Sequence, residues 1–127
     1  MIHTSDILRA KLLIVDDQAA NVLLLERLLR SAGYSAISTT QNPQEVVDLH
    51  RQNRYDLILL DLNMPEMDGF QVMEALKSEE GDGSLPVLVI TAQPNEKLRA
   101  LKAGALDFVS KPFDIAEVLA RVQNLLQ

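Results

Sequence analysis

Asp16, Asp17, Asp61, Thr91 and Lys111 carry the side chains from which a reaction could be built. Asp16 and Asp17 follow the apolar run Leu12-Leu13-Ile14-Val15, and Asp61 follows Leu57-Ile58-Leu59-Leu60. Thr91 ends Val87-Leu88-Val89-Ile90, and Lys111 comes just after Phe108-Val109-Ser110. Runs of strand length without alternation read as strands buried on both faces, as in parallel sheets. The polar residues therefore stand at the carboxyl ends of strands, where open α/β sheets place their ligands. A carboxylate buried there without a partner is costly, and three that converge repel one another and raise at least one pKa. A hard divalent cation relieves that repulsion. Magnesium suits the set, because it takes few carboxylates, keeps several waters and binds phosphate oxygens. Three acids, a hydroxyl and an ammonium at successive strand ends outline a metal-assisted phosphate site.

The elements that must position these groups can be followed along the chain. Residues 1–10 read as a short leader and residues 11–127 as one domain. Lys11 to Asp16 is the first strand. Ala19 to Ala32 is a helix with the stripe Val22, Leu25, Leu28, Leu29 and Leu24 beside it, closed by Gly33. Leu23 falls on its wet face as a lone exposed apolar residue. Ser35 to Thr39 is less apolar and reads as an edge strand. Asn42-Pro43-Gln44-Glu45 opens the next helix, with Asn as cap, Pro at the first position and Glu placed to reach back. His50 in that helix reads as solvated, since no partner has metal spacing to it.

After the central strand, Asp68-Gly69-Phe70-Gln71 caps a helix to about Ser78. Glu79 to Ser84 is a loop by composition and lacks the ligand pattern of an EF-hand. Pro94 to Ala103 is a fairly polar helix ended by Gly104. Asp107 to Val109 is a short fifth strand. Asp114-Ile115-Ala116-Glu117 repeats the capping box and opens the last helix, whose stripe is Ile115, Val118, Leu119, Val122, Leu125 and Leu126. Strand and helix alternate throughout, so the expected fold is α/β: a doubly wound, five-stranded parallel sheet covered on both faces. No internal repeat or inner linker is visible.

A length of 127 residues fits one domain, and 47% hydrophobic residues suffice for a core. The net charge of −6 speaks against direct nucleic-acid binding, which needs a basic face. The absence of Cys excludes a disulfide scaffold and fits a reducing, cytoplasmic setting. No signal-peptide core and no apolar run of membrane-span length is present.

In these residues the chain resembles a receiver domain of two-component response regulators. The resemblance rests on Asp16-Asp17, on Asp61-Leu62-Asn63-Met64-Pro65-Glu66-Met67-Asp68-Gly69, on Thr91-Ala92, and on Gly104-Ala105-Leu106-Asp107-Phe108 leading to Lys111-Pro112-Phe113. It covers the chain from about Lys11 to Leu126. It implies a flavodoxin-like fold with strand order 2-1-3-4-5 and a cis Lys111-Pro112 bond. It implies that Asp61 accepts a phosphoryl group and that Lys111 and Thr91 contact that group. Mg²⁺ would be held by Asp17, Asp61 and the Asn63 backbone carbonyl, with Asp16 acting through water. Thr91 and Phe108 would be the switch residues. Their output would be the surface of the helix after the fourth strand, the fifth strand and the last helix. The implied partners are a sensor histidine kinase or histidine phosphotransfer protein, which would meet the first long helix, and a downstream effector domain or protein. Such a domain is a phosphoacceptor rather than an enzyme with turnover.

The alternative is a haloacid-dehalogenase-like phosphohydrolase, which also uses a strand-end Asp and Mg²⁺. Those enzymes place a general-acid Asp two residues after the nucleophile. Asn63 stands there and cannot supply the proton. A flavodoxin-like nucleotide binder would need a phosphate-cradling Gly loop, but Asp16-Asp17-Gln18-Ala19 has no Gly.

Overall fold

The computed structural model describes residues 4–65, 67–80 and 85–127. In chain order its elements are α1 (Thr4–Ile7), β1 (Lys11–Val15), α2 (Ala19–Ser31), β2 (Ala36–Thr40), α3 (Val46–Asn53) and β3 (Leu57–Asp61). They continue with α4 (Gly69–Glu80), β4 (Val87–Thr91), α5 (Lys97–Lys102), β5 (Asp107–Ser110) and α6 (Ile115–Leu126). The strands form one parallel sheet in the order β2-β1-β3-β4-β5, as expected. The Lys111–Pro112 bond is cis.

The period-two alternation of strand side chains divides the core. Leu12, Ile14, Leu57, Leu59, Leu88 and Ile90 face α1, α2 and α6. Leu13, Val15, Ile58, Leu60, Val87 and Val89 face α3, α4 and α5. All these residues are essentially inaccessible, and each such side chain contributes about 1.5–3 kcal/mol by leaving water. β3 and β4 are buried along their whole length, while β2 and β5 at the edges are more open.

Several local expectations change. His50 is buried rather than solvated, at 3% exposure. The chain turns sharply after α3 through Arg54, which has a positive φ of 52°. That turn brings the Tyr55 N–H onto His50 Nδ1 at 3.1 Å and stacks the two rings. Glu79 and Glu80 belong to α4 instead of a loop. Arg51 of α3 binds the Glu79 carboxylate and holds it below the usual carboxylate range, anchoring the last turn. Residues 81–84, the remainder of the expected loop, lie outside the described residues, as does Glu66.

Ile115, expected in the buried stripe of its helix, is exposed, and so is Leu24, expected beside the α2 stripe. Each sits at the rim of its stripe, beyond reach of the sheet. Leu23 is exposed, as expected. Residues of the leader take part in the fold: Ile7 and Ala10 are buried and Leu8 packs on the same core. β2 starts and ends one residue later than expected, and lies at the edge.

Caps follow the sequence in part. Asn42 accepts from Gln44 N–H at 3.0 Å, but Glu45 does not reach back to Asn42; it takes the hydroxyl of Thr40 at 2.9 Å. Asp68 and Gln71 form a reciprocal box, each side chain bonding the other's N–H at 2.9 Å. Asp114 caps α6 through Ala116 N–H at 2.8 Å, while Glu117 turns toward Arg121. Both α3 and α5 are entered through a 3₁₀ turn, Pro43–Glu45 and Pro94–Glu96, so the second of these helices is shorter than expected.

Gly69 fixes how closely α4 approaches the end of β3. Its N–H donates to the Leu62 carbonyl at 3.0 Å. A Cβ at this position would lie 2.6 Å from Leu62 Cδ2, 2.7 Å from Leu62 Cα and 2.9 Å from the Asp61 carbonyl oxygen. Two of those atoms are backbone and cannot turn aside. Gly69→Ala is expected to cost about 1–3 kcal/mol in urea unfolding. Trimming Leu62 to Ala in the same chain should not restore the loss.

Candidate functional site

The register brings the strand ends level. Val15 pairs with Leu60 and Asp61 with Ile90, so Asp16 and Asp61 are neighbours across β1 and β3. Thr91, one residue beyond Ile90, pairs with Ser110, and the Lys111 N–H donates to the Thr91 carbonyl at 2.8 Å. This main-chain bond sets where the lysine leaves the sheet. Its Nζ lies 3.2 Å from Asp61 Oδ1 and 3.5 Å from Asp16 Oδ2.

Asp16 and Asp61 are each only 2% exposed, and Thr91 is 1% exposed. Local backbone supplies further partners. Gln18 N–H donates to Asp16 Oδ1 at 2.9 Å, and Asn63 N–H donates to Asp61 Oδ1 at 3.2 Å. Both are two-residue side-chain turns that start a loop directly from the strand. Asp17 is partly exposed beside them. Asp16, Asp17 and Asp61 each offer an oxygen within 4.8 Å of the others. This all-oxygen, anionic donor set matches the hard-cation preference of Mg²⁺.

The structure thus gathers Asp16, Asp17, Asp61 and Lys111 at one point. Thr91 and Asn63 are linked to each other beside it, with Thr91 Oγ1 3.4 Å from Asn63 Oδ1. Phe108 stands on β5, partly buried, with Lys97 Nζ 4.6 Å above its ring and the Arg121 guanidinium 5.9 Å away. Arg121 also binds Asp107 at 2.6 Å.

The sequence marks Gly69 only as part of a cap and a motif, without its close approach to β3. One residue that shapes the site was not singled out at all: Glu96, whose Oε1 accepts from Thr91 Oγ1 at 3.1 Å and from Asn63 Nδ2 at 3.2 Å. A signal for Glu96 exists in the chain. Thr40-Gln41-Asn42-Pro43-Gln44-Glu45 and Thr91-Ala92-Gln93-Pro94-Asn95-Glu96 share Thr, an amide residue, Pro and Glu at equal spacing. Both fold alike: the N–H two residues on donates to the Thr hydroxyl at 3.0 Å, and that hydroxyl donates to the Glu. The sequence does repeat itself, but only over one strand-to-helix turn.

The family model for the response regulator receiver domain matches residues 12–123. Response regulator MprA of Mycobacterium sp. strain KMS is 41% identical over 119 residues, covering 92% of this chain and 50% of its own length. Response regulator PleD of Caulobacter vibrioides is 40% identical over 118 residues, covering 91% of this chain and 26% of its own length. Among solved structures, a response regulator from Chloroflexus aurantiacus superposes with a TM-score of 0.84 at 32% identity, covering 93% of this chain and 98% of that one. The receiver domain of a Pseudomonas aeruginosa sensor histidine kinase, solved with magnesium coordinated in its active-site cleft, gives 0.82 at 29% identity over 93% and 98% of the two chains.

The chain belongs to the response regulator receiver domain family of two-component systems, whose members act as phosphoacceptor switches. It spans about half the length of MprA and a quarter of PleD. The haloacid-dehalogenase alternative finds no support in these similarities.

Burial raises the Asp61 carboxyl above the usual carboxylate range. The Asn63 N–H opposes the shift, Asp16 adds to it and Lys111 opposes it. The native state therefore holds the Asp61 proton to higher pH than the unfolded chain does. The carboxyl's contribution is most favourable below the unfolded value, about pH 4, and is lost as pH rises through the folded value. Asp61→Asn, without added metal, is expected to melt higher than wild type near neutral pH. The two curves should converge as pH falls toward about 4. A pH series of thermal melts in chelator checks this, and a mutant less stable at neutral pH would contradict it.

Proposed function

We propose that Asp61 is the phosphoacceptor of a Mg²⁺-dependent receiver and that Asp16, Asp17, Lys111, Thr91 and Asn63 serve it. The observation that carries this reading is the Lys111 ammonium lying 3.2 Å from one Asp61 oxygen within a cluster of acids. An Asp61 oxygen attacks phosphorus, the bond from phosphorus to the donor imidazole nitrogen breaks with its electron pair going to that nitrogen, and the imidazole, already protonated on its other nitrogen, leaves neutral. Lys111 then passes from carboxylate to phosphoryl oxygens, and the Thr91 hydroxyl donates to one of them. The chain's share of catalysis is positioning and fixed charge. Asp17, Asp61 and the Asn63 carbonyl would hold Mg²⁺, with Asp16 acting through water. The ion, when bound, neutralises charge on the phosphoryl oxygens.

The switch follows from the movement of Thr91, which leaves room for Phe108 to turn inward. Phe108 carries no hydroxyl, so its change is one of packing and of its contacts with Lys97 and Arg121. The readout surface is α5–β5–α6, presented to an effector domain or protein. The donor, a sensor histidine kinase or histidine phosphotransfer protein, meets α2, where Leu23 and Leu24 are exposed. Residues 11–127 carry the receiver unit, with Ile7, Leu8 and Ala10 packed on its core, and act as a cytoplasmic acceptor that takes up and loses its own phosphoryl group without turnover of another substrate. Among the described residues no helix is long and apolar enough to cross a membrane.

Incubation with Mg²⁺ and a small acyl phosphate is expected to add one phosphoryl group at Asp61, read by mass spectrometry, and Asp61→Asn should abolish it. Labelling of a Ser, Thr or His would overturn the assignment. Millimolar Mg²⁺ alone should raise Tm near neutral pH, because it binds only the folded site. Asp17→Asn should lose most of that gain. An unchanged Mg²⁺ response in this variant would remove Asp17 from the metal site.

A further inference from the structure

We infer that Glu96 is a latch on the switch: its carboxylate holds Thr91 and Asn63 in the unphosphorylated arrangement and must release Thr91 before the site can close on a phosphoryl group. The inference rests on the phosphoacceptor reading given above and adds a residue to it. A threonine hydroxyl has one proton to donate. Here Gln93 N–H fills an acceptor position of Thr91 Oγ1 at 3.0 Å, and the proton goes to Glu96 Oε1 at 3.1 Å, a shorter contact than the 3.4 Å to Asn63 Oδ1. An ionised acceptor makes the stronger bond. A phosphoryl oxygen on Asp61 can receive that proton only if Glu96 gives it up. The same Glu96 oxygen takes Asn63 Nδ2 at 3.2 Å, tying the loop after β3 to the turn after β4.

The Thr40 turn separates latch from cap. There too a hydroxyl at a strand end donates to a glutamate five residues on, Glu45 at 2.9 Å. The motif by itself is therefore a structural way into a helix. Only the second copy adds a side-chain bond to the loop that starts at Asp61 and carries Asn63, whereas Thr40 meets Asp16 through its backbone carbonyl alone. The latch is also placed to be felt beyond the site. Lys97, the next residue, opens α5 and lies over Phe108, so a shift of Glu96 moves the cation that covers the second switch residue.

Beryllium fluoride with Mg²⁺ serves as the probe, a tetrahedral stand-in for the phosphoryl group, with Kd taken by isothermal titration. Glu96→Ala is expected to bind it about fivefold tighter than wild type, the scale of one ordinary net hydrogen bond. Glu96→Gln keeps an oxygen for Thr91 without the charge and should fall between. In a Thr91→Ala background the Glu96→Ala gain should shrink below about twofold, because the two residues then no longer couple. Glu45→Ala, which breaks the same turn beside β1 without touching Thr91 or Asn63, should lower Tm and leave Kd within about twofold of the wild-type value. An unchanged or weaker Kd for Glu96→Ala, or a gain that persists in full without Thr91, would overturn the latch. The second result would mark Glu96 as a repelling charge only. A folded wild type that takes up no probe would instead overturn the phosphoacceptor reading, and the latch with it.

Discussion

The Lys111 ammonium stands between two carboxylates that are almost wholly withdrawn from water. Much of the structure follows from the need to keep that arrangement in place. Charges so buried require partners on every side. The lysine answers both acids, and each acid also takes a backbone N–H from the loop it begins. These bonds oblige the chain to leave β1 and β3 in tight turns. The turn after β3 must in turn admit α4 against it, and Gly69 is the residue small enough to allow the approach. The sheet supplies rigidity: a parallel arrangement buried on both faces holds its strand ends in fixed register, so the acids cannot drift apart to relieve their repulsion.

The fold was legible because its signals are redundant. Unalternating apolar runs marked the strands, and Asp16, Asp61 and Thr91 each followed such a run directly. The strand order and the family came from the match of short motifs in sequence order, which spacing alone would not have supplied. What escaped was set by tertiary geometry. His50 looked solvated because its helical neighbours are polar, whereas its burial depends on a left-handed turn at Arg54 that folds Tyr55 back over it. Glu79 looked like loop because an acidic Asp-Gly run follows, whereas its place in α4 rests on Arg51 from another helix. Ile115 kept the helical period but lies past the edge of the surface its helix covers. Glu96 was hidden because a glutamate at a helix start reads as a cap and nothing more.

The paired Thr-to-Glu turns show one backbone solution used under different demands. At Thr40 the bond closes a turn between an edge strand and α3. At Thr91 it sits on an interior strand, and the hydroxyl's second acceptor is the Asn63 side chain of another loop, where Thr40 has only the Asn42 carbonyl of its own turn. Identical local chemistry is inert in one place and adjustable in the other because of the neighbours alone. A fold built from repeated strand-to-helix units can gain a moving part in this way without a new kind of turn.

The two cores carry a further implication. By strand alternation, Asp16 and Asp61 belong to the face shared with α2 and α6, whereas Thr91 and Phe108 belong to the face shared with α3, α4 and α5. The chemistry thus lies on one side of a wall and its sensor on the other, and they meet only where the wall ends. Substitutions that refit α2 to a different donor disturb one body of packing and leave the other untouched. Divergence of the input surface and of the sensing apparatus can then proceed on separate schedules, with the strand ends as the part both must hold constant.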